Sequence, residues 1–456
     1  MGSVNTKEAA LQDLPATPSC FPDDICLLIM SFLNDPYFFI KTLGRVCRQW
    51  RQCMKRTPLS MTFHTFDKKV LRKNMNGIHS VSNLTSLTMD SNDLGSGDLS
   101  GLTSSSISFQ LKRLQLRYNH VGNGGVQTIA KSSTMSKLEV LDVVSNEISD
   151  KGVIAIAQSE FMTQLKSLLL EGNHKVTTLS VKAISLNLSN LTELTLNWCT
   201  GVNAEGVKAI ANSSKMSNLK RWEMFSNAAG DEGLTAIANS PFMSNLTHLN
   251  METTRIGKDG AIALGKSEHV KNLTKLNVSS NDLNDEGCVA IVTSPNMCHL
   301  TSLKMGSTNA GFDTAQAIAS SPHMAKLTSL SLRNNSFGSE GVFLFSTSDH
   351  LTQLKRLNLY ADEKRIGNEG CMAIANNSAF SSLTNLNIGF NGIGDVGVTA
   401  LATSAFMSNL VKLDLSHNDF HDASLQKLKT SQYTGRANVI TNGCRNLLDY
   451  SPPVCR

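Results

Sequence analysis

Long apolar runs, catalytic signatures and paired cysteines are missing from this 456-residue chain. No stretch of about eighteen consecutive apolar residues occurs, so no membrane-spanning helix is expected. The leader MGSVNTKEAALQDLPATP holds no apolar signal core. The ten cysteines include no C-x-x-C pair, which argues against a zinc ribbon or a redox motif. Cys26, Cys47, Cys288 and Cys371 read as reduced core residues of an intracellular protein. There is no G-x-x-x-x-G-K-[ST] loop and no G-x-S-x-G elbow. The eleven histidines are scattered, and His417 and His421 span a strand-to-turn boundary rather than one helix face. No catalytic site, metal or cofactor is therefore expected. Tryptophan is scarce, with three copies, so each position carries weight.

What is present is a repeat. From Leu84 the unit L-x-x-L-x-L-x-x-N-x-I-x-D-x-G-V-x-A-I-A-x-S-x-x-M recurs, mostly every 27 residues. Units start at Leu84, Leu111, Leu138, Leu165, Leu191, Leu219, Leu246, Leu273, Leu300, Leu327, Leu354, Leu383 and Leu410. A fixed period of this size marks a solenoid. In the unit at Leu273, the alternation of Leu276 and Val278 predicts a short strand with apolar side chains inward. Asn281 sits where the chain must turn and can satisfy buried backbone groups. Asp285-Glu286-Gly287 leads into a helix carrying Ile291, with negative charge at the positive end of its dipole. The asparagine ladder is interrupted by Cys199, Thr254, Thr308 and Asp362.

This motif resembles the leucine-rich repeat family. The resemblance implies an α/β solenoid, with a curved parallel sheet inside and helices outside. Outward strand positions then form a binding face. Tyr118, Glu193, Trp198, Arg221, Phe225, Tyr360 and Phe390 are the candidate target-binding residues, since aromatics and arginine dominate interface hot spots. Trp222 replaces a core leucine and is expected to be buried, whereas Trp198 is expected to be exposed.

A second pattern precedes the repeats. Ile25, Leu28, Ile29, Phe32 and Leu33 fall on one helical face, and Pro22, Asp23 and Asp24 suit the first turn. Asn34-Asp35-Pro36 ends that helix. Leu43, Val46, Cys47 and Trp50 make a further apolar stripe. Three short helices in some thirty residues cannot close a core alone, because chains below about 40 residues rarely fold by themselves. Phe21-Pro22-Asp23-Asp24, Ser31-Phe32-Leu33 and Val46-Cys47-Arg48-Gln49-Trp50-Arg51 resemble an F-box, with Phe21 where leucine is usual. That resemblance implies docking onto a Skp-type adaptor held by a cullin scaffold. Phe21, Pro22, Ile25, Ile29, Leu33, Val46 and Trp50 are the residues it assigns to docking or to the module's own core. The alternative is a helical cap that only shields the first repeat.

These readings divide the chain into a leader (1–19), an F-box-like all-helical module (20–58), a degenerate cap repeat (59–83), the solenoid (84–436) and a terminal cap and tail (437–456). Net charge is +5, with nine Lys or Arg and one acid between Arg45 and Lys73. The solenoid beyond is not basic, so nucleic acid is not an expected partner. Gly2 with Thr6 fits the N-myristoylation pattern, and one acyl chain gives weak membrane association at most. The expected function is a non-catalytic substrate receptor of a Skp–cullin–F-box ubiquitin ligase, cytoplasmic or nuclear. Alternatives are a repeat scaffold or inhibitor without ubiquitin function, and, last, a regulator of a small GTPase.

Overall fold

The leucine spacing becomes a strand–turn–helix unit repeated in register. The structure is a computed structural model and describes residues 59–63, 84–103 and 110–444. The front module, with Phe21, Pro22, Ile25, Ile29, Leu33, Val46 and Trp50, lies outside the described residues, as do Gly2 and the tail from 445. The chain divides into two compact units, residues 1–168 and 169–456.

In the first unit β1 (Leu59–Thr62), β2 (Leu84–Thr88), β3 (Arg113–Gln115) and β4 (Val140–Asp142) pair in parallel in chain order. Strand β5 (Ser167–Leu169) falls at the division. The second unit holds β6 (Glu193–Thr195), β7 (Arg221–Glu223), β8 (His248–Asn250), β9 (Lys275–Asn277) and β10 (Ser302–Lys304). It continues with β11 (Ser329–Ser331), β12 (Arg356–Asn358), β13 (Asn385–Asn387), β14 (Lys412–Asp414) and β15 (Asn438–Ile440). Each of these strands pairs in parallel with the next. The expected α/β repeat fold is thus what forms, with a helix following each repeat strand from β3 to β14.

The repeat at Leu273 shows why the motif folds this way. Leu273, Leu276, Val278, Leu283, Cys288 and Ile291 are all buried. Full burial of one such side chain contributes roughly 1.5–3 kcal/mol. Leu276 lies in register between Leu249 and Leu303, so the apolar column is continuous from strand to strand.

Three kinds of polar rung join neighbouring repeats. Asn281 Nδ2 donates to Met251 O of the preceding repeat (2.7 Å) and to Val278 O (3.0 Å). Its Oδ1 accepts from the amides of Thr254 (2.9 Å) and Ile256 (3.0 Å). Ser294 Oγ donates to Gly265 O at the end of the preceding helix (2.5 Å) and accepts from Asn296 N (3.2 Å). The acidic helix-start residues reach further than their own helix. Asp231 Oδ1 accepts from Gly257 N (2.7 Å) and Gly260 N (2.9 Å), capping the helix Lys258–Gly265 of the next repeat. A Cβ on Gly260 would stand 2.7 Å from that same oxygen, whereas the equivalent cap by Asp285 on Gly311 N and Thr314 N accommodates a threonine.

Candidate protein-binding face

The strands end in a turn whose first residue is left-handed. In the repeats, Tyr118, Ser145, Trp198, Ser226, Thr253, Ser280, Ser307, Asn334, Ala361, Phe390 and His417 have φ between 51° and 62°, and Gly172 takes the same position at 74°. Glycine and asparagine tolerate that bend most readily. A bulky aromatic there is an outlier that costs of order 1–3 kcal/mol. Tyr118, Trp198 and Phe390 occupy it nonetheless, and are 60%, 42% and 49% exposed. The candidate aromatics therefore stand at the edge of the sheet where the strands end. Phe225 and Tyr360 sit one residue earlier in their repeats and are half-buried.

The structure brings most of the candidates in the second unit into two clusters. Trp198 and Phe225 meet edge to face with ring centroids 4.8 Å apart. Beside them, Arg221 Nη2 donates to Glu223 Oε1 (2.5 Å), and its Nε lies 3.4 Å from Glu193 Oε1. Asn197 ties the charges to the rings. Its Nδ2 donates to Glu171 Oε2 (3.2 Å) and Glu223 Oε2 (3.1 Å), and its Oδ1 accepts from Phe225 N (2.8 Å). His174 Nδ1 lies 2.9 Å from the carbonyl of Trp198. Tyr360, Phe390 and His417 form the second cluster, with centroids 6.4 Å and 5.9 Å apart. Tyr118 belongs to the first unit and joins neither cluster. Asn197 and His417 were not among the candidate residues. Their place in the repeat, next to a named aromatic or on an outward strand position, was the available signal.

Trp222 is fully buried, as its place in the motif requires, and its Nε1 has no acceptor. The buried Oγ1 of Thr195 and Oδ1 of Asn227 also lack partners. The repeat containing Cys199 is one residue longer than the common period. Its Cys199 amide turns back to Leu196 O (3.0 Å), leaving Asn227 Oδ1 without the donor that Asn281 receives. The Cys199 thiol replaces the ladder amide as a donor to Leu170 O (3.5 Å), and burial pushes its pKa up to about 12. Thr254 and Thr308 instead donate to carbonyls of their own repeat, Met251 O (2.6 Å) and Met305 O (2.9 Å).

Farther along the same sheet, Arg333 Nη2 bonds Glu252 Oε1 at 3.1 Å across 81 residues of sequence. The repeats between them carry Ser279 and Gly306 at the matching position. A Cβ on Gly306 would lie 2.5 Å from Arg333 Cγ, so the arginine lies flat only because glycine is beneath it. Burial, then Lys275 and Arg221, lower the pKa of nearby His248, against the opposing pull of Glu223 and Glu193. Among the described residues no helix is long and apolar enough to cross a membrane.

The leucine-rich repeat family model matches residues 109–130, 134–157, 187–211, 215–238, 242–265, 269–292, 323–346, 381–402 and 406–429. Among solved structures the chain is similar to an internalin from Listeria monocytogenes. That match has 17% identity, covers 90% of this chain and 97% of the other, and gives a TM-score of 0.46. It is also similar to a structure of the Rad7 and Elc1 complex in yeast, again at 17% identity. There 82% of this chain and 87% of the other are covered, with a TM-score of 0.49. No curated protein matches the chain.

Proposed function

We propose that this chain, whose described residues are built of leucine-rich repeats, is the substrate receptor of a Skp–cullin–F-box ubiquitin ligase. One observation carries the target-binding half of that reading. Exposed aromatic side chains are held in left-handed turn positions at the sheet edge, where a small polar residue would cost less. Strain kept at a surface site fits a binding role, because the partner recovers it as contact. The Trp198–Phe225 pair, braced by Glu193, Arg221 and Asn197, is the centre of the proposed target surface. The Tyr360–Phe390–His417 stack is its second anchor.

The adaptor-binding half rests on the F-box pattern in residues 21–51. The receptor does no chemistry itself. It holds a target near the ubiquitin carrier and raises the effective concentration of target lysines there. The test is co-expression with a Skp-type adaptor, comparing wild type with Pro22→Ala/Leu33→Asp. A complex formed by wild type and lost in the variant is the expected result. A folded monomer with no complex in either case would leave a repeat scaffold with a helical cap.

A further inference from the structure

Cations on the open sheet face of the second unit fall into two groups. Arg221 is paired with Glu223 and Glu193, and Arg333 with Glu252. Lys275 in β9, Lys304 in β10, Arg356 in β12 and Lys412 in β14 are exposed and make no ion pair among the described residues. These four line one continuous depression. Its larger lobe, of about 540 Å³, and its smaller lobe, of about 400 Å³, share Lys304, Ser329 and Arg356.

The neutral lining has the same polarity. Asn358 Oδ1 accepts from Tyr360 N (3.0 Å) and Asn387 Oδ1 from Gly389 N (3.1 Å). Backbone donors therefore occupy these two amide oxygens, and their Nδ2 groups are left as donors with no acceptor among the described residues. Against these the larger lobe holds two carboxylates. Glu252 is matched by Arg333. Asp414 Oδ1 accepts from Ser416 N (3.0 Å) and Ser416 Oγ (2.6 Å). Four free cations and free amide donors in one groove lower the energy of an anionic occupant and raise that of a cationic one.

The shape selects the kind of anion. Successive strands lie about 4.8 Å apart, so β9 to β14 spans about 24 Å, the length of about seven extended residues. A single phosphate or small carboxylate would use one cation and leave the others unpaired. We infer that this groove binds an extended acidic peptide segment of the partner protein, with its carboxylates on Lys275, Lys304, Arg356 and Lys412. The inference rests on the reading of this sheet face as the target-binding surface, and it names the chemistry of the target. The acidic Glu171–Glu193–Glu223 region beside Trp198 fixes the direction of charge along the face. The target's acidic stretch lies over β9–β14 and its uncharged or basic stretch over β6–β7.

The test uses the full chain and fluorescein-labelled peptides of about seven residues. One alternates Asp/Glu with Ser, one replaces the acids by Lys, and one carries phosphoserine in a neutral background. Anisotropy titrations at about 50 and about 200 mM NaCl separate a screened surface effect from a seated peptide. The acidic peptide is expected to bind and the Lys peptide not to. Lys304→Glu/Arg356→Glu should weaken binding by at least roughly ten-fold, and Lys304→Gln/Arg356→Gln by less. Lys182→Glu/Lys326→Glu, off this face, should leave binding within about two-fold. The inference is overturned if the acidic peptide does not bind, if the Glu variant binds it as wild type does, or if only the phosphoserine peptide binds. An unchanged urea midpoint and circular dichroism spectrum show that the variants fold. Adaptor capture is read separately on the wild-type chain. Wild type that captures the adaptor but binds no acidic peptide refutes the groove alone, and wild type that binds the peptide but captures no adaptor refutes the ligase reading alone.

Discussion

Replacing Asn281 by Ala removes one complete rung of the ladder, and the cost can be worked from its five bonds. Three are donations, to Met251 O, Val278 O and Ser279 O. Met251 O keeps a second donor in Thr254 Oγ1 at 2.6 Å, so that loss is small. The other two are acceptances, from the amides of Thr254 and Ile256, both fully buried residues. With the amide gone, neither N–H has an acceptor or a route to water. A buried unsatisfied donor costs about 1–3 kcal/mol, so the pair costs about 2–6 and, after partial relaxation, about 3 kcal/mol. The assay is urea unfolding of the full chain by far-ultraviolet circular dichroism. The midpoint should fall with little change in slope, because the same surface is exposed. Asn272→Ala is the control, since its Nδ2 makes one exposed bond, to Ser244 O at 2.8 Å. It should cost less than about 1 kcal/mol. An Asn281→Ala loss no larger than that of Asn272→Ala would refute the view that cross-repeat amide capping holds neighbouring units together. Asn281→Asp offers a second reading. It keeps the acceptor but turns a carboxylate toward three carbonyls, so its loss should shrink on acidification.

Trp222→Phe gives up volume but also removes a buried N–H that has no acceptor. It should cost under about 1.5 kcal/mol, against about 3–5 for Trp222→Ala, in denaturant titrations. Equal losses would show that the indole N–H is satisfied in solution. Burial pushes the Asp362 carboxyl above the ordinary aspartate range, against the pull of the Gly338, Phe337 and Lys364 amides. An acid raised in the folded state contributes stability that is full below its unfolded pKa, about 3.9, and is lost as pH rises through the folded value. Stability measured from about pH 4 to about pH 7 should therefore fall for wild type relative to Asp362→Asn, and parallel profiles would refute the assignment. Burial holds the thiols of Cys199, Cys288 and Cys371 up near a pKa of about 12. Iodoacetamide should leave these three unlabelled in the native chain and, among the cysteines of the described residues, label half-buried Cys298 first, as read by peptide mass spectrometry.

Within one repeat, much was legible. The period, the inward Leu276 and Val278, the buried Trp222 and the exposed Trp198 follow from position in the motif. What was not legible lies between repeats. The motif places Asp231 at the start of its own helix, yet its carboxylate also caps the next one. That depends on stacking register, which a single unit does not encode. The left-handed residue before the ladder position was equally hidden. Ser280, Trp198 and His417 share no side-chain property, and their φ follows from the turn that the ladder imposes. The Arg333–Glu252 bond was beyond reach because its enabling residue, Gly306, reads on its own as an unremarkable substitution in an outward position.

The four interruptions of the ladder sort the surface by purpose. Thr254 and Thr308 lie in repeats of the common 27-residue length, and their hydroxyls find carbonyls in their own repeat. Nothing exposed and aromatic stands next to either. Cys199 and Asp362 lie in repeats lengthened by one and two residues, and each follows an aromatic cluster, Trp198 in one case and Tyr360 in the other. There the fold gives up stability: Asn227 Oδ1 loses its donor, and a buried carboxyl is pushed up in pKa. The lengthened Cys199 repeat gives up a hydrogen bond beside an exposed aromatic at the sheet edge, and under the proposed function contact with a partner is what offsets that cost. The two lengthened repeats are thus where substitutions of the aromatics Trp198 and Tyr360 should separate binding from stability, as the charge variants do in the groove.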